Sequence, residues 1–186
     1  LAQLSRRHDT ALLCLAGELR TELGLEVAAV RGRGYRLARP LELLDRGWIA
    51  AALAPATAAG LAELVVLDTV GSTSAHLLPL RPPRSGLGIA CVAEQQTAGR
   101  GRGQRHWFTP PGTALAFSLI LRPPVVEGAC TSLFSALGAL AVSEVLEALG
   151  LWPEIKWPND VLLNRRKVCG ILAEAVWLGD ALDSYI

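Results

Sequence analysis

The hydrophobic positions at the start of the chain follow a helical spacing and then change to short strands. Leu12, Leu15, Leu19 and Leu23 are spaced as on one face of a helix. The sequence VAAVRGRGYRL then predicts two short strands joined by a glycine-containing turn at Arg31 to Gly34. A helix followed by a basic hairpin is typical of the end of a winged helix-turn-helix. Too few residues precede the hairpin for a complete one, which needs roughly two more helices.

The next apolar runs predict a connecting helix and three buried strands. PLELLDRGWIAAAL, at 40–53, predicts the helix, and PATAAG after it predicts a linker or turn. LAELVVLD (61–68), IACVAEQ (89–95) and TALAFSLILR (113–122) predict the strands. The run Ser72-Thr73-Ser74 is suited to capping a helix at the end of the first strand, and RPPRSGLG predicts a loop.

The clearest helical pattern lies at 131–150, TSLFSALGALAVSEVLEALG. Its apolar stripe comprises Leu133, Leu137, Leu140, Val145 and Leu149. Gly150 is a suitable C-terminal stop. Downstream, EIKWPNDVLL predicts a strand broken at 157–160, and RKVCGILAEAVW predicts one strand after a turn at 164–165. The final DALDSYI predicts the opening of another strand.

Composition indicates a globular chain with ample core material. Hydrophobic residues make up 51% of the 186 residues, and the net charge of +1 gives no case for bulk attraction to nucleic acid. No uncharged apolar run of about 18 residues predicts a membrane span, and LAQLSRRHD lacks the apolar core of a secretion signal. A cytoplasmic location is therefore expected. The absence of methionine and the strand-like ending predict a fragment cut at both ends.

The four cysteines favour free thiols over a metal site. They are Cys14, Cys91, Cys130 and Cys169, which are far apart and form no Cys-x-x-Cys pair. Buried free thiols in a reducing compartment are expected, and a zinc site is not.

The segment QQTAGRGRGQRHW, at 95–107, carries the most distinctive chemistry. Three glycines and three arginines fall between Gly99 and Arg105, which predicts that the segment is neither a core helix nor a core strand. Glycines allow close backbone approach to an anion, and arginines add fork-shaped donors for carboxylate or phosphate oxygens. The segment matches neither a Walker A loop nor a dinucleotide fingerprint. It predicts a lid over an anionic ligand, and a solvated hairpin or an RNA-binding patch are the alternatives.

Lysine is rare and local in this chain. Only Lys156 and Lys167 occur, against 16 arginines, and both lie in one short region. Where arginine is the default cation, a retained lysine suggests a site that needs a compact point charge. The nearby WPND sequence breaks a strand, so Asn159 and Asp160 could face a cleft or simply form a turn.

Four motifs, in this order and spacing, resemble those of the biotin protein ligases. They are GSTS, EQQTAGRGRGQRHW, KWPNDVLL and RKVCGIL, and the resemblance runs from about residue 31 to 186. The RGRGYRL hairpin upstream resembles the subgroup with an N-terminal DNA-binding domain, the bifunctional biotin operon repressors and ligases. This resemblance implies an α+β fold. A winged-helix remnant would occupy 1–40, a connecting helix and linker 41–60, and a mixed-sheet, class II synthetase-like catalytic domain 61–186. The family's chain continues into a Gly-rich strand and an SH3-like barrel, so this catalytic domain would be incomplete at its C-terminus.

The resemblance also implies a reaction and its residues. Biotin and ATP, with Mg²⁺, form biotinyl-5′-adenylate, and a lysine of a carrier domain then accepts the biotin. The biotin-binding residues map to Ser72, Thr73, Ser74, Gln96, Arg100, Gly101, Arg102 and Lys167. The adenylate- or ATP-binding residues map to Gly99, Arg105, Trp107, Lys156, Asn159 and Asp160. The candidate catalytic residues are Lys167, Arg102 and Asp160, with no metal ligands from the protein.

The implied partners are a carrier domain such as that of acetyl-CoA carboxylase and a second copy of the chain in a homodimer. Operator DNA is less expected, because residues 1–24 offer few side chains for base edges. Two rivals stay open. One is a lipoate- or octanoate-attaching enzyme of the same fold, whose arginine-rich segment usually carries a run of glycines that GRGRGQRHW lacks. The other is a DNA-binding regulator that senses biotin without modifying a protein.

Overall fold

The computed structural model describes residues 13–21, 26–38, 43–83, 87–109, 112–122 and 131–186. Helix α1 covers 13–21, within the predicted N-terminal helix. Strands β1 (Val27–Val30) and β2 (Gly34–Leu37) pair antiparallel, which confirms the predicted hairpin. Arg20 Nη2 donates to the Val27 carbonyl oxygen at 2.6 Å and ties α1 to β1. The assignment of 1–40 to a winged-helix remnant stays a prediction, because 1–12 and 22–25 lie outside the described ranges.

Two short helices follow where the sequence predicted one helix and a linker. Helix α2 (Arg46–Ala52) begins after Asp45, whose Oδ1 accepts a hydrogen bond from the Trp48 N–H at 2.8 Å. It is shorter than predicted, and 40–42 of the predicted range are not described. The prediction of a linker at PATAAG was wrong, because Pro55–Gly60 form helix α3. Proline is favourable in the first turn, where a missing N–H costs the helix nothing.

A four-stranded mixed sheet organises the middle of the chain. Its strands are β3 (Leu61–Val70), β4 (Gly88–Arg100), β5 (His106–Thr109) and β6 (Ala116–Ile120). Strand β3 runs parallel to β4, whereas β5 and β6 both pair antiparallel with β4. The first seven residues of β4 are buried, and they join a core cluster of Leu77, Ile89, Cys91 and Ile120. The mixed α/β fold expected from the sequence is confirmed.

The prediction that the arginine-glycine segment contains no core strand was wrong, because Gly99 and Arg100 belong to β4. Gly99 is buried and pairs with Trp107, and Arg100 pairs with His106, so β4 and β5 form a hairpin. A Cβ atom at residue 99 would lie 2.2 Å from the Trp107 carbonyl oxygen. Glycine is therefore what lets the two strands approach each other here. The loop itself reduces to the short turn Arg102–Gln104.

The predicted cap after the first buried strand is confirmed. Ser72 is the N-cap of helix α4 (Thr73–Leu77), and its carbonyl oxygen accepts from the His76 N–H at 2.9 Å. Thr73, Ser74 and Leu77 are buried. The helix thereby places two hydroxyl-bearing side chains against the sheet.

A second, three-stranded sheet follows the long helix. Its strands are β7 (Pro153–Lys156), β8 (Asp160–Leu163) and β9 (Arg166–Gly170), all antiparallel. The turn from Trp157 to Asn159 contains a cis Trp157–Pro158 bond, and the predicted turn at Asn164 and Arg165 has φ values of 50° and 63°. Both predicted breaks are confirmed.

The strand predicted for RKVCGILAEAVW is divided in two. Strand β9 ends at Gly170, and β10 (Ala175–Leu178) pairs with β11 (Ala181–Tyr185). Between β9 and β10 the backbone forms hydrogen bonds with residues outside both strands. The Ile171 N–H donates to the Asn159 carbonyl oxygen at 2.8 Å, and the Glu174 N–H donates to the Ile186 carbonyl oxygen at 2.8 Å. These bonds replace the ladder that a single strand would have continued.

Helix α5 (Thr131–Ala148) is confirmed, and the Leu151 N–H to Leu146 carbonyl bond, with Gly150 at φ 77°, ends it. Its orientation is unexpected. The apolar stripe is exposed, at 47–71% for its five residues, and the buried positions are Ser135, Ala139 and Ser143. A Cβ atom at Gly138 would lie 3.3 Å from Ile171 Cγ2. Small residues therefore face the segment around Ile171, because the helix approaches that segment closely.

By length and mean hydropathy (1.3 over 18 residues), α5 is the single described helix that could cross a membrane. One such helix is weak evidence, since the core helix of a soluble protein passes the same test. Glu144 and Glu147 lie exposed in its last two turns.

The expectation of buried thiols holds for Cys91 but not for every cysteine. Cys91 is buried in β4, and this burial raises the pKa of its thiol to about 11. Cys14 is exposed on α1, because that helix buries only Ala16 among its described residues. Cys169 is half-buried, and Cys130 lies outside the described residues.

Candidate active site

A cleft lies between the β4–β5 hairpin, strand β6, the N-terminus of α4, the β7–β8 turn and β9 with the link that follows it. Most of the predicted site residues line it together: Ser72, Thr73, Ser74, Gln96, Arg100, Gly101, Arg102, Trp107, Asn159 and Lys167. They come from segments nearly 100 residues apart in sequence, which only the fold brings together. The separate motifs of the sequence thus meet around one cavity.

One part of the cleft is a cluster of hydroxyl and amide groups. The Thr73 N–H and its Oγ1 both bond to Gln96 Oε1, at 2.8 and 3.0 Å. Thr73 Oγ1 also lies 2.7 Å from Ser118 Oγ, and Ser72 Oγ lies 3.0 Å from Ser74 Oγ. Because Gln96 uses its oxygen for Thr73, its NH₂ group remains as a donor. The cluster suits a small polar ligand group that both donates and accepts hydrogen bonds.

Two arginines enter the cleft from the hairpin, and each is held by a residue of the second half of the chain. Arg100 Nη2 donates to Glu174 Oε1. Arg102 Nη1 donates to Asn159 Oδ1 at 3.1 Å, and Asn159 Nδ2 donates to the Ile171 carbonyl oxygen at 3.0 Å. The hairpin is therefore bridged to the β7–β8 turn and to the β9–β10 link.

Lys167 brings a third positive charge from β9. Its Nζ lies 2.7 Å from Asp160 Oδ1 and 5.1 Å from the centre of the Trp107 ring. Carboxylate and aromatic face both attract an ammonium group, so the lysine is held at the cleft wall. A Cβ atom at Gly170 would lie 2.8 Å from Lys167 Nζ, so glycine at 170 leaves room for this position.

Some predicted site residues do not line the cleft. These are Gly99, Arg105, Lys156 and Asp160. Asp160 is connected to the cleft through its hydrogen bond with Lys167. Gly99 allows β4 and β5 to approach each other in the hairpin that lines the cleft. Lys156 and Arg105 are exposed. Their assignment to ATP stays a prediction.

An apolar wall of the cleft was not predicted from the sequence. Leu115 and Phe117 line the cleft beside Ala116 and Ser118, and Ile171 and Leu172 line it from the β9–β10 link. The alternation in TALAFSLILR was a usable signal, because it places Leu115 and Phe117 on the same face of a strand. With this wall, the cleft combines a polar cluster, an apolar surface and three cations.

The thiol of Cys169, two residues after Lys167, is not suited to act as a nucleophile. Burial raises the pKa of the Cys169 thiol, the positive charge of Lys167 partly lowers it, and the negative charge of Asp160 raises it. The thiol is therefore protonated near neutral pH, and reactivity requires the thiolate. Within the described ranges, no group of three or more His, Cys, Asp or Glu side chains could hold a metal ion.

Residues 75–185 match the biotin/lipoate A/B protein ligase family. That range includes Gln96, both cleft arginines and Lys167.

Individual relatives are similar over more of the chain. The bifunctional ligase/repressor BirA of Salmonella typhimurium is 40% identical over 99% of this chain and 56% of its own length. The biotin–[acetyl-CoA-carboxylase] ligase of Paracoccus denitrificans is 42% identical over 64% of this chain and 50% of its own. The chain thus spans about half the length of these relatives.

A solved structure supports the same fold. The biotin protein ligase from Aquifex aeolicus in complex with biotin and ATP superposes with a TM-score of 0.55 at 36% identity, over 67% of this chain and 49% of that one.

Proposed function

The chain belongs to the biotin/lipoate A/B protein ligase family, and we propose that it carries the ligand cleft of a biotin–protein ligase. One observation carries this proposal: Thr73, Gln96 and Ser118 form a polar cluster in the same cleft as Arg100, Arg102 and Lys167. Biotin has a polar ureido ring, an apolar body and a carboxylate. The cluster, the apolar wall and the cations each match one of these parts.

In the proposed first step, a carboxylate oxygen of biotin attacks the α-phosphorus of ATP, and pyrophosphate leaves. Two anions must approach each other, so cations are needed where negative charge accumulates. Arg100 and Arg102 supply fork-shaped donors, and Lys167 supplies a point charge that bridges carboxylate and phosphate oxygens. The product is biotinyl-5′-adenylate.

In the proposed second step, the amine of a carrier lysine attacks the acyl carbon of the adenylate, and AMP and a proton leave. Until then the mixed anhydride must be kept from water. The β4–β5 hairpin lines the cleft, with Trp107 as part of the wall, and is proposed to exclude water there. The carrier is proposed to be a biotin carboxyl carrier domain such as that of acetyl-CoA carboxylase, in keeping with the name of the Paracoccus relative.

The metal requirement is proposed to come with the nucleotide. Mg²⁺ usually binds substrate phosphates with one or two carboxylates rather than a dedicated protein cage. Asp160 is a candidate carboxylate, and its Oδ1 already accepts a hydrogen bond from Lys167 Nζ. Mg²⁺ would enter on the phosphates of ATP.

Repression, dimer formation and a cytoplasmic location are further parts of the proposal. The match to the Salmonella ligase/repressor reaches 99% of the chain, which supports a repressor-type origin for residues 1–40. A regulator that senses biotin without transferring it is the second candidate. Transfer of biotin to an isolated carrier domain would distinguish the two.

Pyrophosphate release with Mg-ATP and either biotin or lipoate tests the proposed function. Release is expected with biotin alone, because the hydroxyl and amide cluster matches a ureido ring and not an apolar dithiolane. Release with lipoate would favour the lipoate-attaching rival. If neither acid supports release, biotin binding by calorimetry decides whether the cleft itself recognises biotin.

Arg102→Gly is expected to weaken retention of biotinyl-5′-adenylate by about 100-fold, because it removes both a charge in the cleft and the bridge to Asn159. The adenylate dissociation rate, measured by chase with unlabelled biotin, checks this. Arg166→Gly is the control, because Arg166 is an exposed arginine of β9 that does not line the cleft. Equal dissociation rates for Arg102→Gly and the unaltered chain would contradict the assignment.

A further inference from the structure

The pairing of β8 with β9 places Lys167 and Gly170 on the same face of the second sheet. Leu162 lies opposite Lys167 and Asp160 lies opposite Gly170, so β9 has one residue more than β8 between the two pairs. The extra residue is Val168, which has no partner on β8 and forms a β-bulge. Residues two apart on β8 share a face, and so do residues that pair across strands. Lys167, Gly170 and Asp160 therefore lie on one side of the sheet.

The bulge at Val168 gives the Lys167 side chain its direction. In a strand without a bulge, residues three apart would face opposite sides of the sheet. With the bulge, the lysine side chain lies over Gly170 and reaches the residue opposite that glycine. Its Nζ lies 2.7 Å from Asp160 Oδ1 and 5.1 Å from the centre of the Trp107 ring.

The end of the lysine side chain fills the space that a side chain at 170 would need. A Cβ atom there would lie 2.8 Å from both Lys167 Cε and Lys167 Nζ, and 3.7 Å from Trp107 Cζ3. The three nearest heavy atoms thus belong to side chains, and the two in collision belong to a flexible one. Gly170 is not among the glycines with positive φ, so alanine fits its backbone. An added methyl group would move the lysine and leave the strand in place.

We infer that Gly170 is a positioning residue: the missing side chain at 170, two residues after the bulge at Val168, directs the Lys167 ammonium group to Asp160 and Trp107. A charge that is already held where negative charge accumulates needs no reorganisation during the reaction. The effect on adenylate formation rests on the proposed function, whereas the position of the lysine does not.

Nuclear magnetic resonance of the chain labelled with ¹³C at lysine Cε, without ligand, tests the position of Lys167. Lys156 and Lys167 are the only lysines, so the spectrum holds one signal for each, and Lys156→Arg identifies them. Protons over an aromatic face are shielded, so the Lys167 signal is expected upfield of that of exposed Lys156. Gly170→Ala should move the Lys167 signal towards that of Lys156, which itself should stay in place. Coinciding signals in the unaltered chain, or an unmoved Lys167 signal in Gly170→Ala, would overturn the inference.

Urea unfolding shows whether the lysine or the sheet adapts to the added methyl group. Gly170→Ala is expected to unfold at the unaltered midpoint, because the methyl group collides with no backbone atom. Gly71→Ala is the control, since its added Cβ has no heavy atom within 4 Å. A midpoint clearly below that of Gly71→Ala would mean that the strand moves, which contradicts the inference.

Single-turnover adenylation tests the consequence for the reaction. Gly170→Ala is expected to lower the rate at saturating biotin and ATP about 10- to 100-fold, because a displaced ammonium group no longer lies where the charge builds up. The Kd for biotin, measured by calorimetry, should stay within about threefold of the unaltered value. In a Lys167→Ala background, Gly170→Ala should change the rate by less than about twofold, since it acts through the lysine.

These measurements separate positioning from a direct clash with the ligand, because Gly170 itself lines the cleft. A methyl group that blocked the ligand would raise the Kd and would slow the reaction in the Lys167→Ala background as well. Either of those results, or an unaltered rate in Gly170→Ala, would overturn the inference. If the unaltered chain forms no adenylate, the proposed function fails, and the lysine signals still decide the role of Gly170.

Discussion

Lys167→Ala is expected to lower the rate of adenylate formation at saturating biotin and ATP about 100- to 1,000-fold. The lysine ammonium group lies at the cleft wall, 2.7 Å from Asp160 Oδ1 and 5.1 Å from the Trp107 ring centre. Without it, a carboxylate must approach a phosphate with no point charge between them. The measurement is single-turnover formation of biotinyl-5′-adenylate from labelled ATP, with pyrophosphatase present.

The neighbouring residue provides the control for this prediction. Arg166 is an exposed cation of the same strand that does not line the cleft, so Arg166→Ala should stay within twofold of the unaltered rate. The Kd for biotin in Lys167→Ala should change far less than the rate, because the charge acts where it builds up in the transition state. A rate within tenfold of the unaltered chain would rule out an electrostatic role for Lys167.

Gly88→Ala is expected to lower the free energy of unfolding by about 3–5 kcal/mol, the sum of a backbone cost and an overpacking cost. Gly88 begins β4 with φ 85°, a conformation that side chains with a Cβ rarely adopt. The added methyl would lie 1.8 Å from the Ile120 carbonyl oxygen and 2.9 Å from its carbon. Because these are backbone atoms of the adjacent strand, the sheet itself must move.

Urea unfolding followed by circular dichroism measures this change, with Gly71→Ala as its control. Gly71 has no heavy atom within 4 Å of its added Cβ and is not among the positive-φ glycines. Its substitution should change stability by no more than about 0.5 kcal/mol. If Gly88→Ala unfolds with the same midpoint as Gly71→Ala, the close approach of β4 and β6 at this point is wrong.

Local signals in the sequence were enough to predict most elements and much of the cleft. Apolar runs predicted β3 and β4, Ser72 predicted the start of α4, and Gly150 predicted the end of α5. Most of the polar residues named from the motifs line one cleft, whereas Gly99, Arg105, Lys156 and Asp160 do not, and the ligand roles of all of them stay predictions. These predictions rest on interactions between residues close in sequence, or on motif order.

Features that depend on distant partners could not be predicted. The stripe of α5 was visible, but the helix faces the segment around Ile171 with Gly138 and other small residues instead, a contact between distant segments. Strand character at Gly99 depends on how closely Trp107 approaches. The pairing of Arg100 with Glu174 has no signal in either local sequence. Periodicity gives the faces of an element, whereas the fold decides which face is covered.

The long-range bridges across the cleft also set an order of assembly during synthesis. Arg100 leaves the ribosome 74 residues before Glu174, which corresponds to roughly 4–15 s of translation. In that interval the β3–β4–β5–β6 sheet can form, but its arginines have no partner from β8, β9 or the link after them. A nascent chain stopped before Glu174 should therefore hold a folded first sheet whose β4–β5 hairpin lacks the ion pair between Arg100 and Glu174. Ligand recognition would begin only once the last third of the chain has emerged.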